Sequence, residues 1–254
     1  MPKFSIIIPA FENVALLSKA MDSVMTQTEQ DWEIIVCDDS DSNKVNDYVT
    51  QIGDPRIIYQ KHERGKSAAE NWNCGLRAAK GEYMLMIHHD ESLKESCHLE
   101  RISEMFQQGA DVVVTNIEIE QGGKLSGGRP DWLKRMSLRK PALLMLCNTI
   151  GPTACLAFRK QRLQLFDDRL QWLVDAEWYY RMLKDSTIGF LENLKVHSYH
   201  GHEGQLTQNM KVIETFKSDK AIIDEVYRKN ADVRKMTSLY GTLILGTKKL
   251  LGKI

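Results

Sequence analysis

The chain has 254 residues, 43% of them hydrophobic, which is enough for one large globular domain or two small ones. Its 34 basic and 34 acidic side chains balance, so no global positive field attracts nucleic acid and no acidic excess indicates a solvating tail. Five scattered cysteines without a Cys-x-x-Cys spacing argue against a zinc ribbon or a disulfide framework and favour a reducing cytosol.

Predicted strands and helices alternate in the first part of the chain. Helical spacing of apolar residues, as in Leu17, Met21 and Val24, falls between the strands, and 67–79 and 95–108 also suit helices. Near-continuous apolar strands joined by helices predict a mostly parallel sheet covered on both faces. The predicted strands are FSIIIP (4–9), WEIIVCDD (32–39), RIIYQK (56–61), EYMLMIHHD (82–90) and DVVVTNIEI (111–119).

Polar residues follow three of these strands: PAFE (9–12), DDS (38–40) and HHDE (88–91). Ligands of open α/β sheets bind outside the carboxyl ends of the strands, so these residues are expected to share one crevice. PAFENV carries no glycine, which disfavours a dinucleotide site, and no G-x-x-x-x-G-K-[ST] loop for a nucleoside triphosphate is present.

The chain is expected to divide into a nucleotide-binding half (1–110), an acceptor and catalytic-base half (111–215) and a helical tail (216–254). The tail places apolar side chains on one helical face with lysines elsewhere, so it is expected to lie on an anionic membrane or to pack on the domain or on a sister subunit. No apolar run reaches the roughly 18 residues of a membrane span, and Pro9 and Glu12 end the apolar N-terminus too early for a signal peptide.

The acidic residues have two interpretations each. Asp38 and Asp39 can accept hydrogen bonds from a base or ribose, or form a turn. Asp90 and Glu91 offer hard oxygen ligands for a divalent metal on a diphosphate. Strand alternation would send His88 and His89 to opposite faces, so both on one metal is disfavoured, and either one could simply be a polar strand end.

Downstream, Asp175 and Glu177 lie at a helix start, where a carboxylate can act as a general base or merely cap the helix. The segment HSYHGHEGQLT (197–207) could bring His202 to a metal or phosphate. A zinc site is the alternative interpretation, but no cysteine is close and the spacing is not His-Glu-x-x-His.

These motifs, in this order over about residues 4–207, resemble family 2, GT-A fold glycosyltransferases, which are inverting enzymes that use nucleotide-activated sugars. SIIIPAFEN resembles the opening strand and turn, and QDWEIIVCDDSDS the second strand with its Asp pair. RGKSAAENWNCGLRAAKGEYMLMIHHDE resembles the block leading into D-x-D. The stretch 150–183 resembles the region of the catalytic acid, and HEGQLT the late His-x-Gly-Ser-x-Ser/Thr loop.

The chain departs from the family pattern in several places. His88 stands at the first Asp of D-x-D, Glu12 at the usual Asn of the opening motif, Glu70 at an Arg, and Val174 at the Glu that commonly precedes the base. An imidazole is softer than a carboxylate, so His88 suits Mn²⁺ better than Mg²⁺.

The resemblance implies an α/β GT-A fold, a divalent cofactor (Mn²⁺ or Mg²⁺), a nucleotide-sugar donor with UDP favoured, and a glycan or lipid-linked acceptor. Asp175 is implied as the base with Glu177 as an orienting residue. The implied metal ligands are Asp90, His88 and His202. The implied nucleotide-binding residues are Pro9, Phe11, Glu12, Asp39, Arg64, Lys66 and His89.

Two rival functions stay open at this point. A nucleotidyltransferase would need a glycine-rich basic loop after the first strand, which is missing. A non-catalytic sugar-nucleotide-binding or membrane-associated scaffold could have lost activity when His replaced Asp at position 88, although Asp39, Asp90 and Asp175 are present. The family setting implies surface-polysaccharide synthesis by a cytoplasmic protein, peripheral at the inner face of the plasma membrane; a homodimer is an open alternative.

Overall fold

The computed structural model describes residues 1–62, 67–202 and 211–250, with side chains up to residue 244 in the last range. The strands are β1 Phe4–Ala10, β2 Trp32–Asp38, β3 Ile57–Lys61, β4 Tyr83–Met86, β5 Glu91–Leu93, β6 Val112–Gln121, β7 Lys124–Gly127, β8 Leu156–Arg159 and β9 Ile188–His200. The helices are α1 Val14–Met25, α2 Lys44–Ile52, α3 Ala68–Ala78, α4 His98–Gln107, α5 Asp131–Arg139, α6 Val174–Leu183, α7 Val212–Val226 and α8 Ala231–Leu250.

One sheet runs through the molecule in the order β3-β2-β1-β4-β8-β6-β9-β5, and β7 pairs with the outer part of β6. The strands β3, β2, β1 and β4 are parallel, as the alternating pattern predicts. Strand β8 is antiparallel to both of its neighbours, β4 and β6, whereas β6 and β9 are parallel. The α/β fold class is therefore confirmed, and the sheet becomes mixed beyond β4.

The first two strands form the centre of the core, and every residue of β1 and β2 is buried. Helices cover these strands, which is why they read as continuous apolar runs instead of alternating ones. Helix α1 begins where the Asn13 side chain accepts a hydrogen bond from the Leu16 amide, and α3 begins with Ser67 capping the Glu70 amide. Asn13 follows the polar end of β1 directly, at the edge where ligands of such sheets bind.

The predicted strand 82–90 is shorter in the structure. Strand β4 ends at Met86, and the chain then turns through His88, His89 and Asp90 before β5. The two histidines thus lie in a turn, where strand alternation does not apply. The 13-residue β9 was missed by the sequence analysis, because the loop-like HSYH segment forms its last part.

The C-terminal helices pack against the body, and of the apolar face predicted for the tail, Met236 and Tyr240 take part in this packing. Val233 and Thr237 are fully buried, and the Trp172 indole donates a hydrogen bond to the Tyr240 hydroxyl over 2.7 Å. Leu239 and Leu243 are 42% and 54% exposed on the other side. In the described part of the chain, no helix is both long enough and apolar enough to cross a bilayer.

Glycine at position 75 permits the close packing of α3 on the sheet. A Cβ there would collide with the Ile7 side chain and would lie 2.6 Å from the Cys37 Sγ. We expect Gly75→Ala to lower the free energy of unfolding by about 1–3 kcal/mol, because overpacking outweighs the gain in helix propensity. Urea denaturation measures this, and Gly127→Ala, where nothing lies within 4 Å of the added Cβ, should change stability far less. Equal stability of the two variants would contradict the tight packing.

Candidate active site

The turn after β1 is shaped by Glu12, which adopts a positive φ of 54°. Its carboxylate accepts hydrogen bonds from the Asp41 and Ser42 amides at 2.7 and 2.9 Å and from the Ser42 hydroxyl at 2.6 Å. These bonds lower the pKa of Glu12, with the Ser42 hydroxyl as the main cause. Glu12 therefore ties the turn after β1 to the loop after β2, and Phe11 beside it is 36% exposed.

The two aspartates after β2 have different environments. Asp38 is fully buried and accepts hydrogen bonds from the Tyr59 hydroxyl, the Lys61 Nζ and the Ser40 amide. Asp39 is half-buried, and no other described residue donates a hydrogen bond to its carboxylate. Burial raises the pKa of Asp39. Asp38 thus holds the strand ends together, while Asp39 has acceptor capacity left for a ligand.

The HHDE turn is the most strongly charged part of the crevice. The His88 amide donates to Glu91 over 2.9 Å, and the His88 ring packs on Trp72 with a centroid distance of 4.9 Å. Burial alone would lower the pKa of His88, but Glu91, Asp90 and Asp175 outweigh it and raise the pKa to about 9. Among the described residues, the buried Nε2 of His88 has no hydrogen-bond partner.

Asp90 is joined to the late part of the chain. Its carboxylate lies 3.0 Å from the His202 Nε2, and its carbonyl accepts a hydrogen bond from the Tyr199 amide in β9. Burial would raise the pKa of Asp90, but His88 and His202 outweigh it and lower the pKa. His89 lies on the other side of the turn, where its Nδ1 is 3.4 Å from the Pro9 carbonyl. The predicted residues His89, Asp90 and His202 are therefore brought together beside the end of β1.

Asp175 lies in the first turn of α6 and completes the group of carboxylates. Burial raises its pKa to about 6, although the nearby His88 imidazole opposes this effect. Its Oδ1 is buried and has no hydrogen-bond partner among the described residues. A carboxylate with a pKa of about 6 is ionised at neutral pH yet basic enough to take a proton from a hydroxyl.

Glu177 lies elsewhere, since two residues along a helix differ by about 200° in direction. Arg181 binds both of its carboxylate oxygens at 2.7 Å, and the Tyr227 hydroxyl donates to Oε1 over 2.5 Å. These contacts join α6 to the end of α7. The orienting role of Glu177 stays a prediction, and the geometry assigns it contacts with α7 instead of with Asp175.

The start of α6 is held by a residue that the sequence analysis missed. Asp219 of α7 is 1% exposed and accepts hydrogen bonds from the backbone amides of Gln171, Trp172 and Leu173. The pattern that could have revealed it is an acid on the apolar face of α7, between the buried Phe216 and Ile223. Asp219 thus fixes the segment that leads directly into Asp175.

Asp219→Ala is expected to lower the free energy of unfolding by about 1–3 kcal/mol, because it leaves buried amides without an acceptor. It should also reduce turnover more than nucleotide affinity, since the segment before Asp175 loosens. Denaturation, kinetics and nucleotide titration measure the three effects. Asp224→Ala on the same helix removes only a partly exposed pair with Lys220 and is the matched control. An Asp219 variant as stable and active as that control would contradict the assigned support.

The donor set fits a divalent cation. His88, Asp90 and Glu91 each offer one ligand atom, and these atoms lie within 4.8 Å of one another. The unpartnered His88 nitrogen and the carboxylate oxygens form a mixed N and O set, which suits Mn²⁺ better than Mg²⁺. His62, Glu70 and Cys74 form a second such group beside α3. His197 instead contacts Glu118 and Glu120 on β6.

Two predicted nucleotide-binding residues, Arg64 and Lys66, fall outside the described residues, as does most of the HEGQLT segment after His202. Pro9, Phe11, Glu12, Asp39 and His89 all lie at the carboxyl ends of β1, β2 and β4.

Comparisons with known proteins agree with this geometry. The chain is 35% identical over 131 residues to the GalNAc(5)-diNAcBac-PP-undecaprenol β-1,3-glucosyltransferase of Campylobacter jejuni, which covers 50% of this chain and 41% of that protein. It is 38% identical over 87 residues to the UDP-Glc:α-D-GlcNAc-diphosphoundecaprenol β-1,3-glucosyltransferase WfaP of Escherichia coli, covering 34% of this chain and 35% of that protein. The chain thus spans less than half of the length of these two relatives.

The fold is similar to a crystal structure of S. aureus TarS in complex with UDP-GlcNAc. The TM-score is 0.73 at 14% sequence identity, over 95% of this chain and 71% of that one. The family model for glycosyl transferase family 2 matches residues 5–166, from the start of β1 to the segment before α6. With more than half of its residues matched, the chain belongs to glycosyl transferase family 2 and has the GT-A fold.

Proposed function

We propose that this chain is an inverting glycosyltransferase that moves a sugar from a UDP-sugar to a lipid-linked acceptor. The observation that carries the proposal is one crevice with Asp39 at the end of β2, Asp90 after β4 and Asp175 at the start of α6. Each carboxylate has a different environment, which fits three separate tasks: recognition of the nucleotide, neutralisation of the diphosphate and deprotonation of the acceptor.

Asp39 is the proposed contact of the nucleobase or ribose, because its carboxylate can still accept hydrogen bonds. The carboxylate of Asp38 already accepts them from Tyr59 and Lys61. Phe11 offers an exposed ring beside it. The name of WfaP specifies UDP-glucose as donor and a diphosphoundecaprenol-linked sugar as acceptor, and TarS was crystallised with UDP-GlcNAc. These names support UDP as the nucleotide and a polyprenyl diphosphate-linked glycan as the acceptor class.

Asp175 is the proposed general base. A carboxylate with a pKa of about 6 is largely ionised at pH 7 and can accept the proton of an attacking hydroxyl. Attack from the side opposite the leaving diphosphate inverts the anomeric carbon, and one carboxylate suffices for this step. The start of α6 is held by Asp219, so the orientation of Asp175 is set before the acceptor binds.

Asp90, together with His88 and His202, is proposed to hold a divalent cation, with Mn²⁺ favoured. Such a cation would neutralise the charge that develops on the leaving nucleoside diphosphate. His202 lies 3.0 Å from Asp90, so the segment that follows β9 contributes directly to this side of the crevice. Apart from His202, the proposed division of labour is that residues 1–110 bind the donor and residues 111–215 supply the base and the acceptor side.

Calorimetric titration tests the proposal with UDP, GDP, dTDP and CDP, each with Mn²⁺ and with a chelator. We expect UDP to bind selectively and only in the presence of Mn²⁺. If none of the nucleotides binds under either condition, the result contradicts the transferase and favours the alternative of a non-catalytic scaffold. Transfer itself is then measured as UDP release that depends on an undecaprenyl diphosphate-linked GlcNAc acceptor.

A further inference from the structure

Helix α5 is anchored to the body by one side only. Lys134 is fully buried, and its Nζ donates hydrogen bonds to the Thr115 carbonyl, the Asn116 amide oxygen and the Ile150 carbonyl. Ser137, one turn further along, is buried as well. This side fixes the orientation of the helix, so the opposite side must face outward.

The outward side combines large apolar side chains with cations. Trp132 and Met136, four residues apart, are 64% and 46% exposed. Arg135 and Arg139 lie at the adjoining helical positions and are exposed too. A tryptophan with two thirds of its surface in water is unusual in a soluble domain unless the surface has a partner.

The segment that leads into α5 is also exposed and carries cations and an apolar side chain. All residues from 121 to 130 are exposed, including Leu125 at 62%. Within residues 121–140, the acidic side chains are limited to Asp131, which is half-buried and accepts a hydrogen bond from Asn116. Glu192 pairs with Arg135, which leaves the other cations of this surface without a described acidic partner. The exposed cations are Lys124, Arg129, Arg135, Arg139 and Lys140.

This surface belongs to the part of the molecule that carries the proposed base. Asn116 bonds both Asp131 and Lys134 of α5, and the Ile150 carbonyl that Lys134 contacts is followed by Gly151, whose carbonyl accepts a hydrogen bond from Tyr179 of α6. Helix α6 begins with the turn that holds Asp175. Backbone and side-chain bonds thus connect α5 to the acceptor side of the crevice.

We propose that the α5 patch, defined as Leu125, Trp132 and Met136 with the five exposed cations, docks the protein on an anionic phospholipid surface. The inference deepens the proposed function, because an acceptor carried by a lipid is reached only at a bilayer. The excess of positive charge complements anionic headgroups, and the indole of a tryptophan prefers the boundary between headgroups and acyl chains. The patch differs from the C-terminal tail, because one face of the tail's described part is buried against the body.

Vesicle sedimentation of the full chain tests this proposal. We expect binding to vesicles of phosphatidylglycerol and phosphatidylcholine, and little binding to phosphatidylcholine alone. Trp132→Ser combined with Met136→Ser should weaken binding to the anionic vesicles by about tenfold or more, as should Arg139→Glu combined with Lys140→Glu. The control variants are Leu239→Ser with Leu243→Ser on α8 and Lys217→Glu with Lys229→Glu, which remove two exposed apolar side chains and reverse two positive charges elsewhere on the surface.

Several outcomes would overturn the proposal. These are absence of binding by the unmodified protein, equal binding to neutral vesicles, or equal losses in the α8 control. Loss of a dimer in the α5 variants with unchanged vesicle binding would assign the patch to contact between copies. UDP titration without vesicles is measured on the same samples and should be unaffected by the patch variants. Vesicle binding without any nucleotide binding would support the patch while refuting the proposed enzyme.

Discussion

Replacing Asp175 by Asn is expected to reduce sugar transfer by about 10²–10⁴-fold, the usual contribution of a positioned general base. The amide keeps the shape of the side chain but cannot accept the proton of the attacking hydroxyl. Affinity for UDP should stay close to that of the unmodified protein, because Asp175 lies on the acceptor side of the crevice. Steady-state kinetics and calorimetric titration measure the two quantities separately.

The pH dependence gives a second measurement on the same residue. The pKa of Asp175 is raised to about 6, so the ionised form that works as a base is lost as pH falls through 6. Turnover should therefore drop about tenfold per pH unit below that value and level off above it. Asp168→Asn, an exposed residue on the same segment, is the control and should keep both rate and profile. Unimpaired turnover in the Asp175 variant would remove it from the mechanism.

Replacing Asp90 by Ala is expected to abolish the dependence of UDP binding on Mn²⁺, with a loss of affinity of about tenfold or more. The variant loses the carboxylate that joins the HHDE turn to His202. Its affinity in Mn²⁺ should fall to the value that the unmodified protein shows with a chelator. Titrations with and without the metal measure the difference directly.

Asp168→Ala is again the matched control, since it removes an equal charge at an exposed position. Two results would contradict the assignment of Asp90: equal UDP affinity of the unmodified protein with and without Mn²⁺, or a normal metal effect in the variant. A His88→Ala variant studied in parallel separates the contributions of the two proposed ligands, because His88 belongs to the same group of donor atoms.

The parallel half of the fold and its polar edge could be predicted from the sequence because both depend on local patterns. Strands β1 and β2 are fully buried apolar runs, and each ends in polar residues. The order of the polar motifs along the chain resembles that of a known family, and this resemblance predicts that Asp39, Asp90 and Asp175 share one site. Asp39 and Asp90 follow β2 and β4 at the carboxyl edge of the sheet, and Asp175 at the start of α6 lies close enough to His88 to raise its pKa.

The parts that escaped prediction depend on contacts between distant residues. The role of Glu12 as the acceptor that shapes the loop after β2 requires a bond across about 30 positions in the chain. Strand β8 has only four residues, which is too short for a periodic sequence pattern to predict its antiparallel placement between β4 and β6. Asp219 lies on the apolar face of α7, a pattern that indicates burial, but its bonds to the amides before α6 join residues more than 45 positions apart.

The bonds between Asp219 and the start of α6 bear on how this protein could be recombined with its relatives. The family match ends at residue 166, which invites a crossover there or at the end of β9. A chimera joined at residue 166 keeps Asp175 and α7 together, whereas one joined at the end of β9 would combine one protein's proposed base with another protein's α7. In the second case three backbone amides would lose their acceptor unless the other protein also carries an acid at position 219. Acceptor specificity should therefore be exchanged as a block that runs from residue 167 through Tyr240, whose hydroxyl accepts a hydrogen bond from the Trp172 indole.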